Sequence, residues 1–325
     1  MPYTYQLKLD NIKYLHFYMA LIIVMYHVGV IIDGKSSRID MYLTIQLSNL
    51  FEFLANIAMS YFFFVSGYLL FKTIEVFNYV DKVKRRVKTL LVPYIGWNLI
   101  VFFMKCIVGK ESISSVGKIF DIRYYPPDGP LWYMYCIFLL ALISPIFLSV
   151  VRKNNIFIIA LFSICCNFLL HRFSFNEGYV VNLLHFFPIW ILGGVMSKNV
   201  INRKKLIALI MIACFSFKGD VYNYLLFIVQ IIIILLLLSL KIEDEKKNTH
   251  IYKWNFLIYV IHGPIIEVGG RYVKTWFVYL CGSTFIASVL CKVFFTCCCL
   301  LLCWLFYFVF RKHKTIIKVL TCNRG

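Results

Sequence analysis

Between residues 14 and 310 the chain returns repeatedly to runs of about twenty apolar residues, among them YLLFIVQIIIILLLLSL and KVFFTCCCLLLCWLFYFVF, with a shorter one, LIALIMIACFSF. About 20 apolar residues in a helix cross some 30 Å of hydrocarbon. The runs are continuously apolar and do not alternate with period two, so transmembrane strands are excluded and helices are the expected element. Composition agrees. The apolar set makes up 61% of the 325 residues and charged residues 15%, with a mean hydropathy of +0.79. A soluble fold with this balance would expose apolar patches far larger than monomers tolerate.

Walking the chain gives about ten candidate spans, at approximately 14–32, 48–71, 89–108, 131–151, 155–171, 179–197, 206–217, 222–240, 254–270 and 276–310. The seventh is short and the last is long enough to begin as an exoplasmic or interfacial segment, so nine or eleven spans also fit. The expected fold class is therefore all-α, a polytopic membrane helical bundle forming one integral-membrane domain with no appended soluble domain. The start, MPYTYQLKLDNIKYLHFYMALIIVMYHVGVII, lacks a small-residue cleavage site and is read as a retained first helix.

The formal charge of +19 would suggest nucleic acid in a soluble protein, but here the basic residues cluster between apolar runs. Topology explains them better, and no nucleic-acid partner is expected. With the N-terminus inside, the cytoplasmic segments hold the richer groups, such as Lys82, Lys84, Arg85, Arg86 and Lys88, or Arg203, Lys204 and Lys205. The opposite loops are poorer, which predicts an N-in, C-in orientation. The 12 cysteines lie mostly inside apolar runs without paired CxxC spacing, so neither a disulfide nor a metal is inferred.

Ionisable residues inside apolar runs are costly, and each is a functional candidate by default. His27 lies in ALIIVMYHVGVII, about 20 Å along a helix from Tyr14. A neutral imidazole there suits proton abstraction from a hydroxyl, although interhelical packing uses histidine as well. His16 stands eleven residues earlier, which is three turns plus about 20°, so both rings share a face about 16 Å apart. In FFFVSGYLLFK, Ser66 and Gly67 permit close helix approach and Tyr68 offers a phenol. The basic KVKRRVKTLLVPY suits either positive-inside topology or the phosphates of a coenzyme A nucleotide, through Arg85, Arg86 and Lys88. PPDGPLWYMY places Trp132, Tyr133 and Tyr135 after a rigid turn, beside Asp128, an arrangement that suits a sugar or an interfacial belt. His185 and His262 are further intramembrane candidates. His262 precedes Pro264, which is expected to kink its helix, with Glu267 as a polar neighbour.

In their order, ALIIVMYH, FFFVSGYLL, KRRVKTLLVPYIGWNL, GPLWYMYCIFLLALISPI, FPIWILGG and FLIYVIHGP resemble the membrane-bound acyltransferase family 3, which includes bacterial surface-polysaccharide O-acetyltransferases. The resemblance covers most of the chain and implies about ten helices, a cytosolic acyl-CoA co-substrate (acetyl-CoA above all) with no bound cofactor, and an envelope acceptor. It implies a multi-pass place in the bacterial inner membrane, and glycan-assembly machinery and lipids as partners. His27 matches the family's first-span histidine. Eleven residues earlier the family usually carries Arg, whereas this chain has His16. Either His16 substitutes in part, Lys13 reaches in, or the donor is handled differently.

The resemblance thus implies an O-acyltransferase in which His27 and His16 serve catalysis. The acyl donor meets Arg85, Arg86, Lys88, Ser66 and Tyr68, and the acceptor, an envelope glycan or lipid-linked sugar, meets Trp132, Tyr133, Tyr135 and His262. His27 acts as general base or carries the acyl group transiently. The alternative is an exporter or flippase of such a glycan, with the same histidines lining its pathway.

Overall fold

A computed structural model of the protein describes residues 12–31, 36–107, 109–121, 124–153, 165, 179–198, 221–239 and 254–310. Their principal elements are helices: α1 (Ile12–His27), α2 (Arg38–Thr73), α3 (Tyr79–Arg86), α4 (Val92–Ile107), α5 (Trp132–Lys153), α6 (Tyr179–Lys198), α7 (Val221–Ser239), α8 (Asn255–Cys281) and α9 (Thr284–Phe310). No strand occurs among the described residues. The segments Arg38–Thr73, Val76–Ile107, Gly129–Ser149 and Thr284–Phe310 are long and apolar enough to cross a membrane. Shorter apolar helices run over Tyr14–His27, Val181–Ser197 and Ile228–Ser239. The expected spans at 155–171 and 206–217 lie outside the described residues, apart from Cys165.

The chain divides into two compact units. One comprises Met1–Ile12, Met59–Pro127 and Leu131–Asp244; the other comprises Lys13–Ala58, Asp128–Pro130 and Glu245–Gly325. Residues 38–58 of α2 thus belong to the second unit and 59–73 to the first.

In the first unit α2 and α6 cross backbone to backbone. A Cβ on Gly67 would stand 2.0 Å from the Trp190 carbonyl oxygen, and one on Gly193 would stand 2.1 Å from that of Phe64. Small residues at such crossings replace the hydrophobic effect, which draws no helices together in lipid, with close dispersion contact. Aromatic rings fill the space around the crossing. Phe63 stacks on Phe186 at 4.7 Å between centroids, and Phe71 meets Trp190 edge-on at 4.9 Å. Between α3 and α4 the backbone makes a wide π turn over Val87–Leu91, just before Pro93. Proline lacks the N–H that would bond back four residues, so the ladder is already interrupted there.

In the second unit α2 begins ten residues earlier than the apolar run suggests. Ser37 starts it: its hydroxyl accepts the Asp40 N–H at 3.2 Å. Asp40 then caps a different helix. Its carboxylate accepts the N–H of Thr284 at 2.8 Å and of Phe285 at 3.1 Å, and the hydroxyls of Ser283 and Thr284 at 2.6 Å each. These amides are among the orphan donors of the α9 N-terminus, where negative charge is favoured.

The last apolar stretch, 276–310, whose length left room for a separate segment at its start, is divided. Gly282 adopts φ 62°, closes α8 by donating to the Val278 carbonyl, and lets α9 begin at Thr284. Pro264 does not end α8, which continues through it to Cys281. Val28, Cys291 and Phe295 form the buried core here, with Ile265, Ile266, Val273 and Phe277 packed against it.

Candidate functional site

The sequence reading places His27 inside a span reaching residue 32, but α1 stops at His27 itself. The cause is Gly29. With φ 68° it takes the left-handed conformation that glycine adopts without steric cost, and its N–H returns to the Tyr26 carbonyl at 2.9 Å. His27 therefore stands at a helix C-terminus, where the last carbonyls need donors from elsewhere. One comes from α9. The Lys292 ammonium donates to the Met25 carbonyl at 2.6 Å and lies 4.4 Å from the centroid of the Phe51 ring.

Tyr26, His27, Gly29, Ser48, Phe51 and Lys292 line a cavity of about 320 Å³. The His27 ring meets Tyr26 edge-on at 5.3 Å and His262 at 5.1 Å. Its nitrogens have no hydrogen-bond partner among the described residues, so the lone pair is left for a ligand in the cavity.

His262 is fully buried, on α8. Its Nδ1 lies 3.1 Å from the Ile258 carbonyl, which can only accept, so the proton is on Nδ1 and Nε2 is an acceptor. That Nε2 is buried and makes no hydrogen bond among the described residues. The segment Asp128–Pro130 packs against α8 at the residues flanking this histidine. A Cβ on Gly263 would come within 2.6 Å of Asp128 Oδ1 and 3.3 Å of Pro130, and the Tyr259 hydroxyl donates to the Pro130 carbonyl. Asp128, expected near a sugar, is instead buried against Gly263. Glu267, expected as the polar neighbour of His262, is exposed.

The second unit thus gathers His27 and His262, with His16 half-buried on α1. The remaining expected site residues belong to the first unit. Arg85 and Lys88 are exposed and Arg86 half-buried, at the end of α3 and in the π turn. The Ser66 hydroxyl is buried without a hydrogen-bond partner, and the Lys72 ammonium sits 5.9 Å from the Tyr68 ring centroid. Trp132 stacks on Phe63 at 6.0 Å, Tyr135 stacks on Tyr94 at 5.2 Å, and the Tyr133 hydroxyl donates to the Phe62 carbonyl at 3.1 Å. His185 lies edge-on to Phe186 at 4.8 Å.

Sequence reasoning missed Lys292. The signal was present, since a lone lysine inside CKVFFTCCC carries the same cost in lipid as the histidines.

A family profile described as an acyltransferase domain, that of membrane acyltransferase family 3, matches residues 9–308. The chain belongs to that family. No curated protein and no solved structure matches it. A membrane acyltransferase needs a base for the incoming nucleophile and a place for an acyl group; the cavity of the second unit is lined by one imidazole, that of His27.

Proposed function

We propose that this acyltransferase takes an acyl group, acetyl in the first instance, from cytosolic acyl-CoA and transfers it to a hydroxyl of a cell-envelope polysaccharide or lipid-linked sugar. The protein does so as a single domain of about ten spans, N-in and C-in, in a bacterial inner membrane. The observation that carries this reading is the His27 imidazole, which borders a cavity and has no hydrogen-bond partner among the described residues.

In this reading His27 is the general base that removes the acceptor hydroxyl proton. His262, held by Ile258 and packed against the His27 ring, steadies that imidazole and acts through it. His16 supports the donor from the same helix. Arg85, Arg86 and Lys88 take the coenzyme A phosphates, with Ser66 and Tyr68 nearer the pantetheine, and Trp132, Tyr133 and Tyr135 take the acceptor sugar.

The deciding experiment uses purified full-length protein in nanodiscs with labelled acetyl-CoA and envelope glycan. His27→Ala is expected to abolish label transfer while the protein still inserts and unfolds at an unchanged temperature. Transfer retained in that variant would remove the base, and label that never moves in the wild type would favour a glycan exporter.

A further inference from the structure

We propose that Lys292 is a catalytic residue of the acyl transfer: its ammonium holds the thioester carbonyl oxygen and the oxyanion formed from it. The inference rests on the reading of His27 as base. Lys292 and His27 line the same cavity but come from different helices, α9 and α1. They are tied together through one hydrogen bond, from Lys292 Nζ to the carbonyl of Met25, two residues before the histidine. An ammonium has three donors, and only one is used among the described residues. The residue is 3% exposed, so its side chain is fixed rather than swinging through solvent. The cavity lining contains no carboxylate, and no carboxylate among the described residues pairs with Lys292. A second ammonium, Lys274, lies 3.5 Å from where a Cβ on Gly29 would be, adding positive potential beside the same turn. Two cations with no anionic partner among the described residues, beside an imidazole whose nitrogens have no partner there either, suit a reaction that develops negative charge next to a proton acceptor.

The step balances as follows. The imidazole of His27 takes the acceptor hydroxyl proton while that oxygen bonds to the thioester carbonyl carbon. The carbonyl π pair moves to its oxygen, which becomes an alkoxide held by the Lys292 ammonium. The C=O then re-forms, the C–S bond breaks, and the coenzyme A thiolate leaves and takes the proton from His27.

The test uses the full chain in nanodiscs and two readouts. Lys292→Met is expected to lower kcat by roughly 100- to 1,000-fold, the cost of losing one oxyanion donor, with KM for acetyl-CoA changed less than about threefold. Lys292→Arg, which keeps a cation, is expected to recover part of that loss. The second readout is the infrared carbonyl band of a ¹³C-labelled, unreactive thioester analogue of acetyl-CoA. Bound to wild type, it should shift to lower frequency than in water, a polarisation that a purely structural lysine would not produce. Full kcat in Lys292→Met, or an unshifted band in the wild type, overturns the proposal. The wild-type band decides even where Lys292→Met does not fold. Where His27→Ala also transfers label normally, the base reading fails. Where His27→Ala is inactive and Lys292→Met is fully active, only the role of Lys292 fails.

Discussion

In the first unit, α2 meets α6 with nothing between the two backbones, Gly67 lying on Trp190 and Gly193 on Phe64. In the second unit, the other end of α2 meets α9 through one carboxylate, Asp40, which accepts four hydrogen bonds. Both contacts answer the same problem, since lipid gives apolar helices no hydrophobic reason to associate. The first solution depends on volume: it tolerates any chemistry that adds no atoms. The second depends on charge: it tolerates changes of shape as long as an acceptor remains at the end of α9. Each unit should therefore fail in its own way.

The largest effect is expected from adding one methyl group to the first unit. Gly67→Ala or Gly193→Ala places a Cβ about 2 Å from a carbonyl oxygen, and backbone cannot turn aside as a flexible side chain does. Overpacking costs about 1–3 kcal/mol where neighbours can yield, and here the upper end or more is expected. Thermal unfolding in nanodiscs checks this; a variant that purifies in normal yield and melts with the wild type would show that the crossing is not as tight as described.

Next comes Asp40→Ala. It removes no volume that packs a core, yet leaves two amides and two hydroxyls at the α9 terminus without their acceptor. Hydrogen bonds to charged groups contribute about 1.5–3 kcal/mol each, and hydroxyls and water recover part of it. A net loss of about 2–3 kcal/mol is expected. Asp40→Asn should lose less, because one acceptor oxygen survives. An Asp40→Asn variant as stable as the wild type would mean that the carboxylate charge is irrelevant and the comparison is wrong.

Helical class, membrane character and the family were legible because they rest on composition and on motifs that survive without geometry. The close approach at Gly67 was legible too, since small residues have few uses in a lipid-embedded helix. Three things were not. The end of α1 at His27 depends on the φ of Gly29, and the apolar run VGVII continues past it without a polar signal. Asp40 looked like a loop residue because its partners lie some 240 positions away, beyond any local pattern. Lys292 was readable as a costly charge, but only the fold shows that it bonds to Met25 and shares a cavity with His27.

Gly29→Ala separates position from packing in the second unit. The new Cβ would meet Lys274 Nζ at 3.5 Å, an ordinary contact, so space is not the obstacle. Backbone is: a residue with a Cβ in the left-handed region costs about 1–2 kcal/mol. A modest fall in melting temperature is expected, and with it a disproportionate fall in kcat, because the same turn sets where His27 ends its helix. A stability loss without a kcat loss would uncouple the turn from the site.

The smallest effect is expected from Tyr133→Phe, and it bears on the first unit's aromatic residues. The hydroxyl donates to the Phe62 carbonyl at 3.1 Å, while the ring lies edge-on to Phe63 at 5.0 Å. Removing the oxygen keeps the ring contact and deletes the neutral hydrogen bond to Phe62, worth about 0.5–1.5 kcal/mol. The Phe62 carbonyl retains its place within α2, so the loss should sit at the low end of that range. Two measurements on one variant then divide the roles. If Tyr133 only braces α5 against α2, the melting temperature falls slightly and KM for the glycan acceptor stays constant. If it also touches the acceptor, as proposed, KM for the acceptor rises several-fold while KM for acetyl-CoA does not move. The second result would extend the first unit's part in the reaction beyond packing; the first would confine acceptor recognition to other residues.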